Sequence, residues 1–222
     1  MILSFLFPPK CIFCGKTLPA AAELAVCGDC AREVSFYGSD LMMESGERGN
    51  ARGCDCVVCA LAYEGAARAS LARYKFRQRP EYGRTYAALL CEKLRRVEAA
   101  RAFDVVTCVP LSASRERERG YNQAGIVAEY VAGYFGRAYA GRLMRRSGAA
   151  LRQSGLQRQE RAANARAAFA VDPREAQKAG LAGKDVLLVD DIATTLSTLS
   201  ACAMALKEAG ARRVIGGVIA SR

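Results

Sequence analysis

The sequence predicts an α/β protein built on a parallel sheet, preceded by a small N-terminal Cys-rich zinc module. Three observations predict it. Residues 186–189 are a short apolar run that reads as a strand buried on both faces, and residues 214–220 are a second such run. Between them Leu199, Cys202, Ala203, Leu206 and Ala209 recur at helical spacing, so strand, loop, helix and strand form a βαβ unit with a right-handed crossover. Near the N-terminus, Cys11 and Cys14 are followed by Cys27 and Cys30, two ligand pairs at the spacing of a zinc site.

The totals bound the chain to one full domain plus a small one, divided here into residues 1–60 and 61–222. A hydrophobic fraction of 51% is enough for a real core, and a net charge of +11, from 33 basic and 22 acidic residues, favours a polyanionic or phosphate-rich partner. The chain has no histidine, which excludes His-based acid–base and His–metal chemistry. No run of 18 apolar residues occurs, so no transmembrane segment is expected. The apolar start, residues 1–7, is too short for a signal peptide and is expected to pack on the protein or a partner. The ten cysteines then belong to a reducing, cytoplasmic setting and read first as metal ligands or core residues.

In chain order, Cys11, Cys14, Cys27 and Cys30 are expected to close a tetrahedral, structural zinc site. Residues 38–53 show little periodicity and read as a loop or linker. Cys54, Cys56 and Cys59 follow, and three readings compete: an additional metal on Cys56 and Cys59 with a borrowed ligand, replacement of one earlier pair by Cys56 and Cys59, or a trio without metal. Residues 62–64 read as a short strand, and 66–76 as a helix with Leu71 and Tyr74 inward and a basic outer side. Residues 82–98 form a second helical pattern on Tyr86, Leu89, Leu90 and Leu94. Residues 104–109 are a buried strand closed by Pro110. A charged loop spans 114–123, and a helix on Ile126, Val127, Tyr130, Val131 and Tyr134 runs to about residue 135. Residues 137–166 hold eight arginines against the single acid Glu160, and 153–166 read as a mobile hood over the site. Residues 169–171 read as an edge strand.

The two βα units open on one sheet edge, where open α/β sheets bind ligands. At that edge Asp190 and Asp191 can accept hydrogen bonds from a ribose diol, while Thr194, Thr195, Ser197 and Thr198 sit at a helix start, whose free N–H groups and dipole favour phosphate. The stretch 187–198 resembles the signature of the type I phosphoribosyltransferases, four apolar residues, two acids and a Thr-Thr-Gly-x-Thr loop, with Leu196 standing where that family has Gly. Glycine serves where the backbone needs positive φ or a ligand must approach closely. Leu196 therefore implies either another loop shape or phosphoribosyl binding that is weakened or lost.

The resemblance narrows with Tyr63-Glu64-Gly65, Lys75-Phe76-Arg77, Val109-Pro110-Leu111, Arg119-Gly120-Tyr121-Asn122-Gln123, Gln153-Ser154-Gly155-Leu156 and Arg161-Ala162-Ala163-Asn164. In this order, behind a Cys-paired N-terminus, they resemble the ComF competence family over nearly the whole chain. The resemblance implies a phosphoribosyltransferase fold that binds 5-phosphoribosyl pyrophosphate (PRPP), and a link to uptake of single-stranded DNA and to competence proteins. It implies ribose contacts from Asp190 and Asp191, a phosphate cradle from Thr194, Thr195, Ser197 and Thr198, and a pyrophosphate loop of Pro110, Leu111, Arg115 and Arg119. Magnesium accompanies PRPP in such proteins. Family members usually carry a double zinc ribbon with a further Cys pair near residue 40, which this chain lacks. Two function classes stay open: a phosphoribosyltransferase of unnamed acceptor, and a non-catalytic adaptor that binds single-stranded DNA or uptake proteins through its basic surface and zinc module. For the second, Tyr74, Phe76 and Tyr82 interleave with basic residues as stacking platforms do.

Overall fold

A computed structural model describes residues 8–34, 36, 43–44, 52–146 and 168–222. At its centre lie five parallel strands: β2 (Cys56–Ala62), β3 (Val105–Cys108), β4 (Ala138–Tyr139), β7 (Asp185–Ala193) and β8 (Arg213–Ser221). Their order is β2-β8-β7-β3-β4, with the two-residue β1 (Met43–Glu44) antiparallel on the β2 edge. A separate antiparallel pair joins β5 (Met144–Arg146) to β6 (Phe169–Val171). The helices are α1 (Gly28–Glu33), α2 (Gly65–Phe76), α3 (Tyr82–Arg96), α4 (Glu98–Arg101), α5 (Ala113–Arg119), α6 (Gln123–Phe135), α7 (Pro173–Ala179) and α8 (Ser197–Glu208).

The apolar run of β7 makes sense between two layers. Leu187 and Val189 join one core with Leu71 and Tyr74 of α2, Leu90 and Leu94 of α3, and Val127 and Val131 of α6. Val186 and Leu188 join the opposite core with Leu199, Cys202 and Leu206 of α8. Each fully buried Leu or Val is worth roughly 1.5–3 kcal/mol, so the central strands are held from both sides. Gly216 of β8 lets α8 close down: a Cβ there would lie 2.7 Å from Leu199 Cδ2 and 3.1 Å from Val57 Cγ2.

The Cys-rich module is not a separate lobe. Ile12, Phe13, Leu18 and Val34 belong to the core that includes α2 and α3. Arg73 of α2 donates from one Nη to the carbonyls of both Ile12 and Phe13, each at 2.7 Å. The expected boundary after residue 60 lies within β2, which pairs along its length with β8.

Other elements differ from the sequence reading. The charged stretch read as a loop over 114–123 contains α5: Ser112 caps its start by accepting from Arg115 N–H, and Gly120, at φ 77°, ends it in the left-handed conformation. Of the strand read over 62–64 only Ala62 lies in a strand, as the last residue of β2, and the helix read over 82–98 ends at Arg96, before the separate turn α4. β4, β5 and α7 were not expected. The segment 1–7, the hood at 153–166 with both its motifs, and most of the linker at 38–53 lie outside the described residues.

Candidate functional site

The direction of winding locates the site. From β7 the chain passes through α8 to β8 on one side, and from β3 through α6 to β4 on the other. The sheet order thus reverses between β3 and β7, which are paired from Val105–Val186 to Cys108–Val189. A crevice opens at the carboxyl ends of strands at such a switch point. Asp190 and Asp191 from β7, the 194–198 loop and the chain from Pro110 to Gln123 all belong to that edge.

β7 stays in register with β8 through Asp190–Val218 and Ile192–Ala220, so the two acids are consecutive residues of an extended strand and point to opposite faces. Asp191 faces the helices that carry cations. Its Oδ1 lies 2.9 Å from Lys75 Nζ of α2, and its Oδ2 lies 4.0 Å from an Nη of Arg119 at the end of α5. Asp190 accepts a hydrogen bond from Asp191 N–H at 2.8 Å. Burial, and then the charge of Asp191, push the Asp190 carboxyl up to about 7, against the pull of that amide and of Lys75.

Arg119 is the most constrained cation of the group. It lies 5.2 Å from the centre of the Phe76 ring and donates to Gln123 Oε1 at 2.9 Å. Yet its Nε and the Nε2 of Gln123, which is fully buried, are enclosed donors without a well-formed hydrogen bond among the described residues, the Gln123 side chain lying beside the Tyr121 hydroxyl. Buried donors left unpaired cost about 1–3 kcal/mol each, so two side by side point to an acceptor supplied by a ligand. Arg115, predicted beside it, is exposed, while Pro110 and Leu111 are partly buried next to the β3 end.

The helix start at β7 keeps the shape that glycine favours, with leucine in its place. Leu196 sits at φ 57° and ψ 3° directly before α8, and its side chain packs against the α8 core. A non-glycine residue in this region carries roughly 1–2 kcal/mol of strain. The first α8 hydrogen bond runs from Ser200 N–H to the Leu196 carbonyl, and no side chain caps the helix start. The N–H groups of its first turn are therefore available, with Thr194, Thr195, Ser197 and Thr198 exposed around them and Thr195 Oγ1 2.8 Å from Ser197 Oγ. This arrangement can receive a phosphate while Asp190 and Asp191 receive hydroxyls.

The second site is the cysteine cluster. The sulfurs of Cys11, Cys14, Cys27 and Cys30 lie within 4.8 Å of one another, and Cys14 and Cys27 are 3.7 Å apart. A tetrahedron with Zn–S bonds of about 2.3 Å has edges of about 3.8 Å, so the donor set fits zinc. Burial, followed by the neighbouring sulfurs, holds the Cys30 thiol above its ordinary range, and a divalent cation among the four removes that repulsion. Cys56 and Cys59 do not form a further pair. Three residues apart on β2, they join opposite cores, Cys56 the α3 side and Cys59 the α8 side, and burial pushes the Cys59 thiol up to about 12. Among the described residues one four-cysteine cluster is present, and no helix is long and apolar enough to cross a membrane.

Lys75 and Gln123 were not singled out as site residues from the sequence. Lys75 and Asp191 are 116 positions apart, and only the packing of α2 beside the β7 end brings them together.

Comparison with known proteins agrees with the cysteine cluster. Residues 2–69 match the double zinc ribbon domain. The chain is 26% identical over 218 residues to Competence protein F of Haemophilus influenzae, covering 92% of this chain and 93% of that protein. It is 29% identical over 143 residues to the DNA utilization protein YhgH of Salmonella typhimurium, covering 63% of this chain and 60% of that one. Among solved structures it resembles glutamine phosphoribosylpyrophosphate amidotransferase from B. subtilis, at 21% identity and a TM-score of 0.44, over 66% of this chain and 30% of that one.

Proposed function

We propose that this homologue of Competence protein F binds a phosphoribosyl ligand, with PRPP as the first candidate, at the β3–β7 crevice and serves a competence-associated role. The observation that carries the reading is the backbone at Leu196: the positive φ that the glycine of the signature would supply is retained, and the helix start behind it is uncapped. In this reading Thr194, Thr195, Ser197, Thr198 and the first N–H groups of α8 hold the 5-phosphate. Asp190 and Asp191 accept from the ribose hydroxyls. Arg119 and Gln123 supply the unpaired buried donors, and Lys75 the second positive charge, for the pyrophosphate. Pro110 and Leu111 shape the loop beside it, and Arg115 lies at its rim. Magnesium, when bound with PRPP, is held mostly by ligand oxygens and water. Such a site positions a ligand and balances its charge, and it is the frame on which transfer of a ribosyl phosphate group to an acceptor would be built.

The deciding measurement is calorimetric titration of the zinc-loaded protein with PRPP and magnesium. Binding in the micromolar range, lost in Asp190→Ala/Asp191→Ala and kept within about threefold in Leu196→Gly, is the expected result. No binding by the wild type together with binding by Leu196→Gly would instead make the site a disabled relic.

The adaptor reading is favoured by one specific observation. Phe76 is 64% exposed, between the cations of α2 and Arg119, while Tyr74 is fully buried and Tyr82 partly so. Phe76 with Arg77 and Arg79 offers a stacking surface with positive charge for single-stranded nucleic acid. Loss of oligonucleotide affinity in Phe76→Ser with PRPP binding retained would assign the two ligands to separate surfaces.

A further inference from the structure

A large groove lies away from the phosphoribosyl site. Its volume is about 1260 Å³, larger than the 300–1,000 Å³ typical of small-molecule pockets. It runs between α3 and α6 and is closed at one end by Glu23 and Leu24 of the Cys-rich module. The floor is apolar, with Leu89 and Ile126. Tyr130 and Tyr134 of α6 stand 48% and 56% exposed beside it, and Leu24 is 39% exposed.

The charge of its lining is opposite to that of the chain. The protein carries +11, yet the groove has four glutamates, Glu23, Glu81, Glu92 and Glu129, against one cation, Arg84. Glu81 is neutralised by an exposed pair with Arg79, and Glu92 by pairs with Arg96 and with Arg95, which also donates to the Tyr134 hydroxyl. Glu23 and Glu129 have no ion-pair partner among the described residues. The walls are two helices rather than a sheet edge, which excludes capture of a partner by strand addition and fits a helix laid into a groove.

We infer that the groove between α3 and α6 is a docking site for a basic amphipathic helix of a partner protein. Its apolar residues at helical spacing meet Leu89, Ile126, Tyr130 and Tyr134, and its Lys and Arg residues meet Glu23 and Glu129. Because Glu23 and Leu24 come from the module that carries the zinc cysteines, the docking site is complete only when that module is folded. The inference is independent of the phosphoribosyl reading, since no residue is shared between the two sites.

The test uses the full zinc-loaded chain and a fluorescein-labelled helical peptide of Leu and Lys about 18 residues long, five turns with one apolar face. The controls are the same pattern with Glu for Lys and a scrambled Leu/Lys peptide. The patterned basic peptide is expected to bind, to protect amides of α3 and α6 from hydrogen exchange, and to bind at least about tenfold more tightly than either control. Glu23→Lys/Glu129→Lys, at surface positions whose variants are checked for unchanged melting, is expected to weaken it by at least about tenfold. Equal binding of the acidic peptide, protection elsewhere, or indifference to the charge reversal would overturn the proposal. Binding that appears only after removal of residues 1–7 would also overturn it, by assigning the groove to the chain's own start. A dimer abolished by the charge reversal would overturn it in favour of a second copy.

Discussion

Lys75 Nζ lies 2.9 Å from Asp191 Oδ1, with the two side chains 15% and 13% exposed. Removing one member of a largely buried pair leaves the other desolvated and unpaired, which outweighs the modest value of the pair itself. Lys75→Met is therefore expected to destabilise the zinc-loaded protein by ~1–3 kcal/mol, and Lys75→Met/Asp191→Asn by less than Lys75→Met alone. Denaturant unfolding of the single and double variants measures this coupling. Additive losses would mean that the pair contributes nothing beyond its separate contacts.

Asp190 gives the site a pH dependence. Its folded pKa is about 7, raised by burial and then by Asp191, above an unfolded value of about 3.9. Between these values the folded state holds more protons than the unfolded one. The contribution is thus fully present below pH ~4 and lost as pH rises through 7. Asp190→Asn can still accept from Asp191 N–H and has no charge to bury. Its stability relative to wild type is expected to rise from pH 4 to pH 8, by ~1–3 kcal/mol. Melting curves across that range check the sign, and a flat difference would show that Asp190 ionises freely.

Zinc content separates two groups among the N-terminal cysteines. Cys11, Cys14, Cys27 and Cys30 converge, whereas Cys56 and Cys59 are divided between two cores. One zinc per chain is the expected stoichiometry by elemental analysis, unchanged in Cys59→Ala and lost in Cys30→Ser. Chelation is expected to lower the melting temperature of the whole protein by about 10 °C or more, because metal binding is folding free energy and the module shares its core with α2 and α3. Two zinc ions per chain would return Cys56 and Cys59 to the ligand set.

These residues show what was legible beforehand. The β7–α8–β8 unit was readable because a doubly buried strand and an amphipathic helix each leave a period in the sequence. The zinc ligands were readable because their spacing is local. β2 was obscured for the same reason: Cys56-Val57-Val58-Cys59 was weighed as a ligand pair, although its continuation through Ala60, Leu61 and Ala62 is also a strand's apolar run. α5 was hidden by its alternating charges, while its capping Ser112 and terminating Gly120 were visible signals. The same holds for α7, where Asp172 caps and Pro173 occupies the first turn. Leu196 stands out in the sequence as the departure from the signature, but its conformation goes with packing against the α8 core, which no local pattern encodes. Lys75 depends on tertiary structure in the same way.

Gln123 offers the sharpest separation of stability from binding. It is fully buried, accepts from Arg119 through Oε1, and leaves Nε2 without an acceptor. Gln123→Glu replaces the Nε2 donor with an acceptor and turns the Arg119 contact, already charge-assisted by the guanidinium, into an ion pair. The same change places a negative charge where the anionic part of a phosphoribosyl ligand would sit. The variant is expected to melt at or above the wild-type temperature and to bind PRPP at least about tenfold more weakly, a difference of ~1.4 kcal/mol. Stability that falls while affinity stays would mean that Nε2 is satisfied within the protein and that Gln123 is a structural residue. Affinity that falls without loss of stability is the behaviour of a residue strained toward its ligand, and calorimetry with a parallel melting curve distinguishes the two.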